Sequence, residues 1–162
     1  MNTDIVDKQA KFLVKGAKPL HGSIRISGAK NAASKLIIAS LLTDEPVHIT
    51  NCPISIGEIR VTRKIIESLG AKFKKFSENE VIVQTKKIHD ISFSASLGLI
   101  NRIGVLTAGP LLLRSGEAKI PKPGGDQIGA RPINFHLDAL IKLGTTVKEY
   151  KEILFTYMDG IG

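Results

Sequence analysis

Apolar residues follow two patterns along this chain, and each pattern occurs once in each half. Two stretches, residues 32–42 and about 97–113, are apolar on most faces and predict buried helices. Short apolar segments at 47–50 and 118–120 come next and predict strands. Each half of the chain is therefore expected to contribute a buried helix and a strand to a common core.

An amphipathic helix is predicted after each of these strands. The apolar positions are Ile59, Thr62, Ile66 and Leu69 in the first half and Ile133, Leu137, Leu140 and Ile141 in the second. Gly70 and Gly144 follow these helices, at the position where a left-handed residue commonly ends a helix. Pro132 suits the first turn of the second helix, because the nitrogen of proline needs no partner there.

Extended segments complete the predicted unit. They are residues 23–26, 71–76 and 81–84 in the first half and 91–93, 146–149 and 153–157 in the second. Each half thus has the predicted order β-α-β-α-β-β. The sequence predicts an α/β fold built from two similar units, 21–90 and 91–162.

The two halves are also related residue by residue. Three residues of the first half recur 70 positions later: Asn31, Leu36 and Pro53 correspond to Asn101, Leu106 and Pro123. Leu69-Gly70 recurs as Leu143-Gly144 at an offset of 74, which indicates small loop insertions. The order and near-constant spacing of these matches indicate an internal duplication.

Composition and charge limit the classes of protein and partner. With 43% hydrophobic and 23% charged residues among 162, the chain is typical of a folded domain. Its longest strongly apolar stretch, 103–113, is too short to cross a bilayer. The net charge of +8 favours anionic partners such as nucleic acid, acidic lipid or phosphorylated metabolites. An aromatic content of 5% argues against stacking of single-stranded nucleic acid.

Cysteine and histidine suggest neither a disulfide nor a metal site. The single cysteine, Cys52, cannot form an internal disulfide, and it fits best as a small core residue in a reducing cytoplasm. The four histidines have no metal-ligand spacing, so no metal is predicted. His136 lies on the second amphipathic helix and is interpreted as structural.

Three places could bind or transform an anionic ligand. Lys30 and Asn31 follow a strand and Gly28 at the start of an apolar helix, where unpaired N–H groups suit a phosphate or carboxylate. An ordinary turn with a surface lysine is an equally good interpretation. Arg102 lies within an apolar helix, where it either faces an anionic partner or lies on a solvent-exposed face of that helix.

The third place is the loop 121–132, which is longer than a turn requires and contains three glycines and three prolines. Asp126 is its only carboxylate and could act as an acid in a closed site, although a solvated turn aspartate is the simpler interpretation. Arg131 could bind a phosphate through two hydrogen bonds, or could be a capping or surface arginine.

Taken together, these motifs resemble the enolpyruvyl transferases. The resemblance is carried by the segment Ile-Ser-Gly-Ala-Lys-Asn-Ala-Ala at 26–33 and by the segment 123–136, which contains Gly-Ala-Arg-Pro and Phe-His. It also includes the helix from Asn101-Arg102 to 112. It implies an inside-out α/β barrel with two domains, each of three β-α-β-α-β-β units.

Within that fold the chain would hold two units of an incomplete first domain. Residues 1–20 would pack with the second domain, and that domain and the third unit would be absent. The resemblance implies transfer of the enolpyruvyl group from phosphoenolpyruvate to the 3-hydroxyl of UDP-N-acetylglucosamine. This is the first committed step of peptidoglycan precursor synthesis, in the cytoplasm, without metal or cofactor. The chain alone is expected to be inactive.

The resemblance also implies a role for individual residues. Lys30 and Asn31 would contact phosphoenolpyruvate, and Arg102 would contact substrate anions. Asp126 would be the general acid that protonates the methylene carbon. The UDP-sugar site would be lined by Arg131, Pro132, Ile133, Asn134 and Phe135.

Two positions depart from the usual pattern of these enzymes. Asp126 stands where cysteine is more common, which removes the thiolate that fosfomycin alkylates and implies insensitivity to that antibiotic. Asn134 stands where aspartate is usual, which removes a charge near the uracil. Two alternatives are kept: a related transferase acting on shikimate 3-phosphate, and a non-catalytic module that binds anions or nucleic acid.

Overall fold

The computed structural model describes residue 11 and residues 13–16, 19–124, 132–150 and 153–158. Within these residues the chain forms two consecutive α/β units, each with a three-stranded antiparallel sheet. The predicted duplication is therefore visible as two sheets of the same size and the same strand arrangement. The elements of the two units also follow in the same order along the chain.

The first unit contains two helices that pack against each other, and one sheet. Helix α1 is followed by a 3-10 turn, strand β1, helix α2 and the hairpin of β2 and β3. Their bounds are Lys30–Ala39 for α1, Ser40–Leu42 for the 3-10 turn, Val47–Ile49 for β1, Gly57–Ser68 for α2, Lys72–Ser77 for β2 and Glu80–Gln84 for β3. Strand β3 is central, with Val83 opposite Val47 on one side and Phe73 on the other.

The second unit has the same order of elements, except that its first helical stretch is interrupted. Its bounds are Ala95–Ile100 for α3, Ile103–Thr107 for a 3-10 helix, Ala108–Ser115 for α4, Glu117–Pro121 for β4, Asn134–Lys142 for α5, Thr145–Tyr150 for β5 and Ile153–Met158 for β6. Strand β6 is central, and Thr156 lies opposite Ala118 and Val147. The predicted strands at 47–50, 71–76, 81–84, 118–120, 146–149 and 153–157 are confirmed within one or two residues.

A single apolar core runs through both units. The most deeply buried apolar side chains come from α1 and the 3-10 turn after it, from α2 and its C-cap residue, and from β3, α4 and β4: Ile37, Leu41, Ile59, Ile65, Ile66, Leu69, Val81, Val83, Leu111 and Ile120. The predicted apolar face of α2 is confirmed, because Ile59, Thr62, Ile66 and Leu69 are all fully buried or nearly so. The two predicted helix-ending glycines are confirmed as well, with φ of 108° at Gly70 and 91° at Gly144.

The first strand of each predicted unit is largely wrong. Residues 23–26 form no strand, and the side chains of Ile24 and Ile26 are exposed. In the second unit Ser92 makes one isolated parallel bridge with Lys119, and Lys119 N donates to Ile91 O at 2.8 Å. Alternating apolar residues form a strand only beside a partner strand, and within the described residues 23–26 have none.

The prediction of one helix over 97–113 is also wrong. The stretch is divided into α3, a 3-10 helix and α4, and the break falls at Asn101, whose backbone is extended (φ −155°, ψ 179°). Asn101 Oδ1 accepts a hydrogen bond from Ile103 N at 3.1 Å, which replaces the missing helical bond. A side chain that bonds its own backbone in this way competes with the helix, so an apolar pattern does not by itself predict a continuous helix.

The two apolar helical stretches are buried on one side only, whereas the sequence predicts burial on most faces. Leu36 and Leu42 of the first helix and Leu99, Ile100 and Leu113 of the second are half or more exposed. In α5, Ile141 is exposed rather than on the packed face, whereas Ile133, Leu137 and Leu140 pack against the core. Pro132 lies just before the N-cap residue Ile133 rather than in the first turn. In the described part of the chain, none of the helices is long and apolar enough to span a membrane.

Candidate active site

A cleft of about 500 Å³ lies where the two units meet. Its walls come from the start of α1, the first two turns of α2, the break between α3 and the following 3-10 helix, and the start of α5. The lining residues are Lys30, Asn31, Ser34, Lys35, Glu58, Thr62, Ile100, Asn101, Arg102, Ile103, Val105, Leu106, Ile133 and His136. Asn31 and Asn101, which match at the offset of 70, both line this cleft.

The turn before α1 is fixed by a close backbone contact. A Cβ atom at Gly28 would lie 1.6 Å from the carbonyl oxygen of Asn51, so only glycine fits there. Asn51 itself has a positive φ of 50°, a conformation that asparagine tolerates better than most residues. The segments around Gly28 and Asn51 therefore pack closely against each other just before Lys30. This contact holds the first turn of α1 at the edge of the cleft.

The charged side chains of the α1–α2 wall form a defined arrangement. Lys30 Nζ lies 2.5 Å from Glu58 Oε2, across the gap between the two helix starts. Lys35 Nζ donates to Asn31 O at 3.2 Å. Together with Arg102, the described lining residues carry three permanent cations and one carboxylate. The cleft is therefore positively charged and suits an anionic ligand.

Arg102 is held at the opposite wall, and it is not buried within a helix. It follows the extended Asn101 and is the residue before the 3-10 helix. Its Nη2 atom donates to Pro132 O at 3.0 Å, which links the break to the start of α5. A guanidinium has five N–H donors, so this contact leaves others for an anion in the cleft.

Both described ends of the loop 121–132 are attached at this same wall. Gly124 N donates to Gly98 O at 3.0 Å, and a Cβ at Gly124 would lie 1.8 Å from Leu99 O. At the other end, Pro132 is held by Arg102. Asp126 and Arg131, predicted as general acid and phosphate ligand, lie outside the described residues.

The cleft brings together four of the residues predicted from the sequence: Lys30, Asn31, Arg102 and Ile133. The other three described ones, Pro132, Asn134 and Phe135, are exposed beside the cleft, and the Phe135 side chain is 84% exposed.

Glu58 and Thr62 also line the cleft and are not among the residues predicted from the sequence. His136, predicted to be structural, lines the cleft too. An acidic residue in a first helical turn is common because it complements the helix dipole, so Glu58 gave no distinct signal.

Two further observations concern the pKa of the cysteine thiol and the side chains that could bind a metal ion. Burial raises the pKa of the Cys52 thiol, which lies in the core and not in the cleft. Among the residues that the structure describes, His, Cys, Asp and Glu side chains form no group of three that could hold a metal ion. The side chains that line the described cleft offer ammonium, guanidinium, amide, hydroxyl, imidazole and carboxylate groups.

Fold and cleft together define an α/β protein of two similar units with a positively charged cleft between them. The family model described as EPSP synthase (3-phosphoshikimate 1-carboxyvinyltransferase) matches residues 14–156. The chain therefore belongs to the EPSP synthase family. The resemblance to enolpyruvyl transferases that the sequence motifs carry is confirmed by this match and by the relatives below.

Curated relatives of this chain are named UDP-N-acetylglucosamine 1-carboxyvinyltransferase. The relative from Pseudoalteromonas atlantica is 38% identical over 150 residues, which cover 93% of this chain and 36% of that protein. The relative from Prochlorococcus marinus is 40% identical over 141 residues, which cover 87% of this chain and 30% of that protein. The chain thus spans about a third of the length of these relatives.

A solved structure supports the fold assignment. The enolpyruvyl transferase NikO from Streptomyces tendae superposes with a TM-score of 0.70 at 22% sequence identity, covering 88% of this chain and 31% of that one. At this identity the likeness concerns the fold alone. The predicted α/β class and its membership among enolpyruvyl transferase folds are confirmed, whereas the closed inside-out barrel stays a prediction.

Proposed function

We propose that this chain forms one wall of the active site of a cytoplasmic enolpyruvyl transferase. The reaction is transfer of the enolpyruvyl group from phosphoenolpyruvate to the 3-hydroxyl of UDP-N-acetylglucosamine, which begins peptidoglycan precursor synthesis. The observation that carries the proposal is the convergence of Lys30, Asn31 and Arg102 on one cleft between the two units. The names of the relatives support the choice of substrate.

The cleft residues suit the binding of phosphoenolpyruvate. Its phosphate and carboxylate need cationic and N–H donors, which Lys30 and the first turn of α1 provide. Asn31 adds an amide that donates and accepts hydrogen bonds. Arg102, on the facing wall, binds a second anionic group, for which the diphosphate of the UDP-sugar is the candidate. The remaining proposed contacts to that sugar are Arg131, Pro132, Ile133, Asn134 and Phe135.

The chemical step requires a proton donor, for which we propose Asp126. Protonation of the methylene carbon makes the adjacent carbon cationic, and the sugar 3-hydroxyl attacks it and loses its proton to a base. The resulting tetrahedral intermediate then loses a proton from the new methyl group as the C–O bond to phosphate breaks. The attachment of Gly124 to Gly98 and of Pro132 to Arg102 supports this role, because it holds both flanks of the loop carrying Asp126 at the segment 98–102, part of which lines the cleft.

Full turnover is proposed to need more than the two units. The matched relatives are about three times as long as this chain, and a base and further cationic groups are expected from sequence outside the matched third. In the predicted fold, the third unit and the second domain would supply them. Binding rather than catalysis is therefore the property to measure on this chain.

Calorimetric titration of phosphoenolpyruvate and UDP-N-acetylglucosamine tests the proposal, with phosphate release measured in parallel. We expect Lys30→Ala to weaken phosphoenolpyruvate binding and Arg102→Ala to weaken UDP-sugar binding. The matched control is Arg63→Ala, because Arg63 is an exposed cation of α2 that pairs with Glu67 and does not line the cleft.

Two results would contradict the proposal. Preference for shikimate 3-phosphate over the UDP-sugar would assign a different acceptor. Salt-dependent binding to random DNA, without preference for a UDP-sugar, would indicate a non-catalytic anion-binding module.

A further inference from the structure

Glu58 is the one carboxylate among the described residues that line the cationic cleft. It lies in the first turn of α2, and its Oε2 atom is 2.5 Å from Lys30 Nζ, on the first residue of α1. A carboxylate repels an anion bound nearby, so its place in this cleft needs an explanation. The pair with Lys30 suggests what that explanation is.

The position of Lys30 explains why it needs a counter-charge. The N-terminal end of a helix carries partial positive charge, which repels an ammonium on its first residue. A lysine side chain also has many rotamers, and ordering it costs conformational entropy. Without a partner, the Lys30 side chain would extend into solvent rather than stay beside the cleft.

Glu58 is well placed to provide that counter-charge. The same dipole effect that disfavours Lys30 at the start of α1 favours a carboxylate in the first turn of α2. The packing of α1 against α2 brings the two helix starts together. Both side chains are close to half exposed, so the pair contributes little to folding stability. Its effect is on the location of the ammonium group.

We propose that Glu58 is a positioning residue that holds the Lys30 ammonium beside the cleft for an incoming phosphate or carboxylate. An ammonium has three N–H donors, so one can face Glu58 while the others face the ligand. The inference rests on the proposed function, because it takes Lys30 as a ligand of phosphoenolpyruvate.

Three variants of α2 carboxylates test the positioning role by titration with phosphoenolpyruvate. Glu58→Ala removes the acceptor, and we expect the dissociation constant to rise about three- to tenfold, as the ammonium loses its fixed location. Glu58→Gln keeps an oxygen acceptor but removes the counter-charge, and we expect it to raise the dissociation constant less than Glu58→Ala does. Glu67→Gln is the matched control, because Glu67 pairs with Arg63 on the same helix, away from the cleft.

A double-variant comparison separates positioning from other effects. In a Lys30→Ala background, Glu58→Ala should cause no further loss, because the group that it positions is gone. A full additional loss in that background would overturn the proposal. So would tighter binding by both Glu58→Ala and Glu58→Gln, since the carboxylate would then only compete with the ligand for Lys30.

The mobility of the Lys30 side chain provides a readout that needs no ligand. NMR relaxation of the Lys30 Cε methylene group, assigned with Lys30→Arg, should show an ordered side chain in the unmodified chain and a mobile one in Glu58→Ala. If the unmodified chain fails to bind phosphoenolpyruvate, the proposed function fails for this chain, and the relaxation data still decide the positioning role. Equal mobility in both proteins would overturn it.

Discussion

The guanidinium of Arg114 donates a hydrogen bond to the backbone carbonyl of Thr85, with 2.7 Å between Nη1 and O. Nη1 also lies within hydrogen-bond distance of Leu41 O and Thr43 O, and Nη2 donates to Lys86 O at 3.1 Å. Arg114 belongs to α4 of the second unit, whereas its four acceptors belong to the first. One side chain of the second unit is thus attached to four backbone carbonyls of the first unit.

Replacing Arg114 should destabilise the chain because its acceptors would lose their donor. For Arg114→Met we expect a loss of about 2–4 kcal/mol in the free energy of unfolding, measured by urea denaturation. Arg63→Met is the comparison, because Arg63 forms an exposed pair with Glu67 and should cost about 1 kcal/mol or less. Similar small losses in both variants would contradict the role assigned to Arg114.

Enlarging Gly28 should displace the turn that precedes Lys30. In Gly28→Ala the new Cβ would collide with Asn51 O, and we expect a loss of about 1–3 kcal/mol in stability together with weaker phosphoenolpyruvate binding. Gly109→Ala is the control, because Gly109 lies in α4 with no atom within 4 Å of the added Cβ. That variant should gain about 0.5–1 kcal/mol, and a similar gain in Gly28→Ala would show that the turn can relax.

The buried Cys52 thiol should make stability depend on pH in the alkaline range. Burial raises its pKa in the folded state, so the unfolded chain releases the thiol proton at a lower pH. Stability from this group is fully present below the ordinary thiol pKa of about 8.5, and is lost as pH rises toward the folded value. Urea denaturation across this range should show a steeper decline for the unmodified chain than for Cys52→Ala. Parallel curves would contradict the assignment.

Fosfomycin should form no covalent adduct with this chain. Position 126 is aspartate, and the single thiol, Cys52, is fully buried with a raised pKa, so no reactive thiolate is expected. Intact-mass spectrometry after incubation with fosfomycin and UDP-N-acetylglucosamine should show the unmodified mass. Alkylation of the urea-unfolded chain by iodoacetamide serves as the positive control for detection. A time-dependent adduct on the folded chain would refute this expectation.

Much of the fold could be predicted because its signals are local. Helix α2 has apolar residues at helical spacing, and Gly70 and Gly144 stand where a left-handed residue is required. The antiparallel strands alternate in burial, as β3 shows with Val81 and Val83 inside. The incorrect predictions arose where a partner or a side-chain contact decides the outcome. Residues 23–26 lack a partner strand in the described structure, and the Asn101 side chain interrupts the helix predicted over 97–113.

In the candidate site as well, some features could be predicted from the sequence and others could not. The motif residues could be selected from the sequence, because Lys30 and Asn31 stand at a predicted helix start and Arg102 is a cation within an apolar stretch. The sequence alone therefore determined the α/β class and the family. Only the tertiary structure decided that α1 and α2 bring Lys30 beside Glu58, and that Arg102 faces them from the second unit. The physical reason is that backbone preferences act over a few residues, whereas charges distant in sequence meet only once the core has packed the helices together.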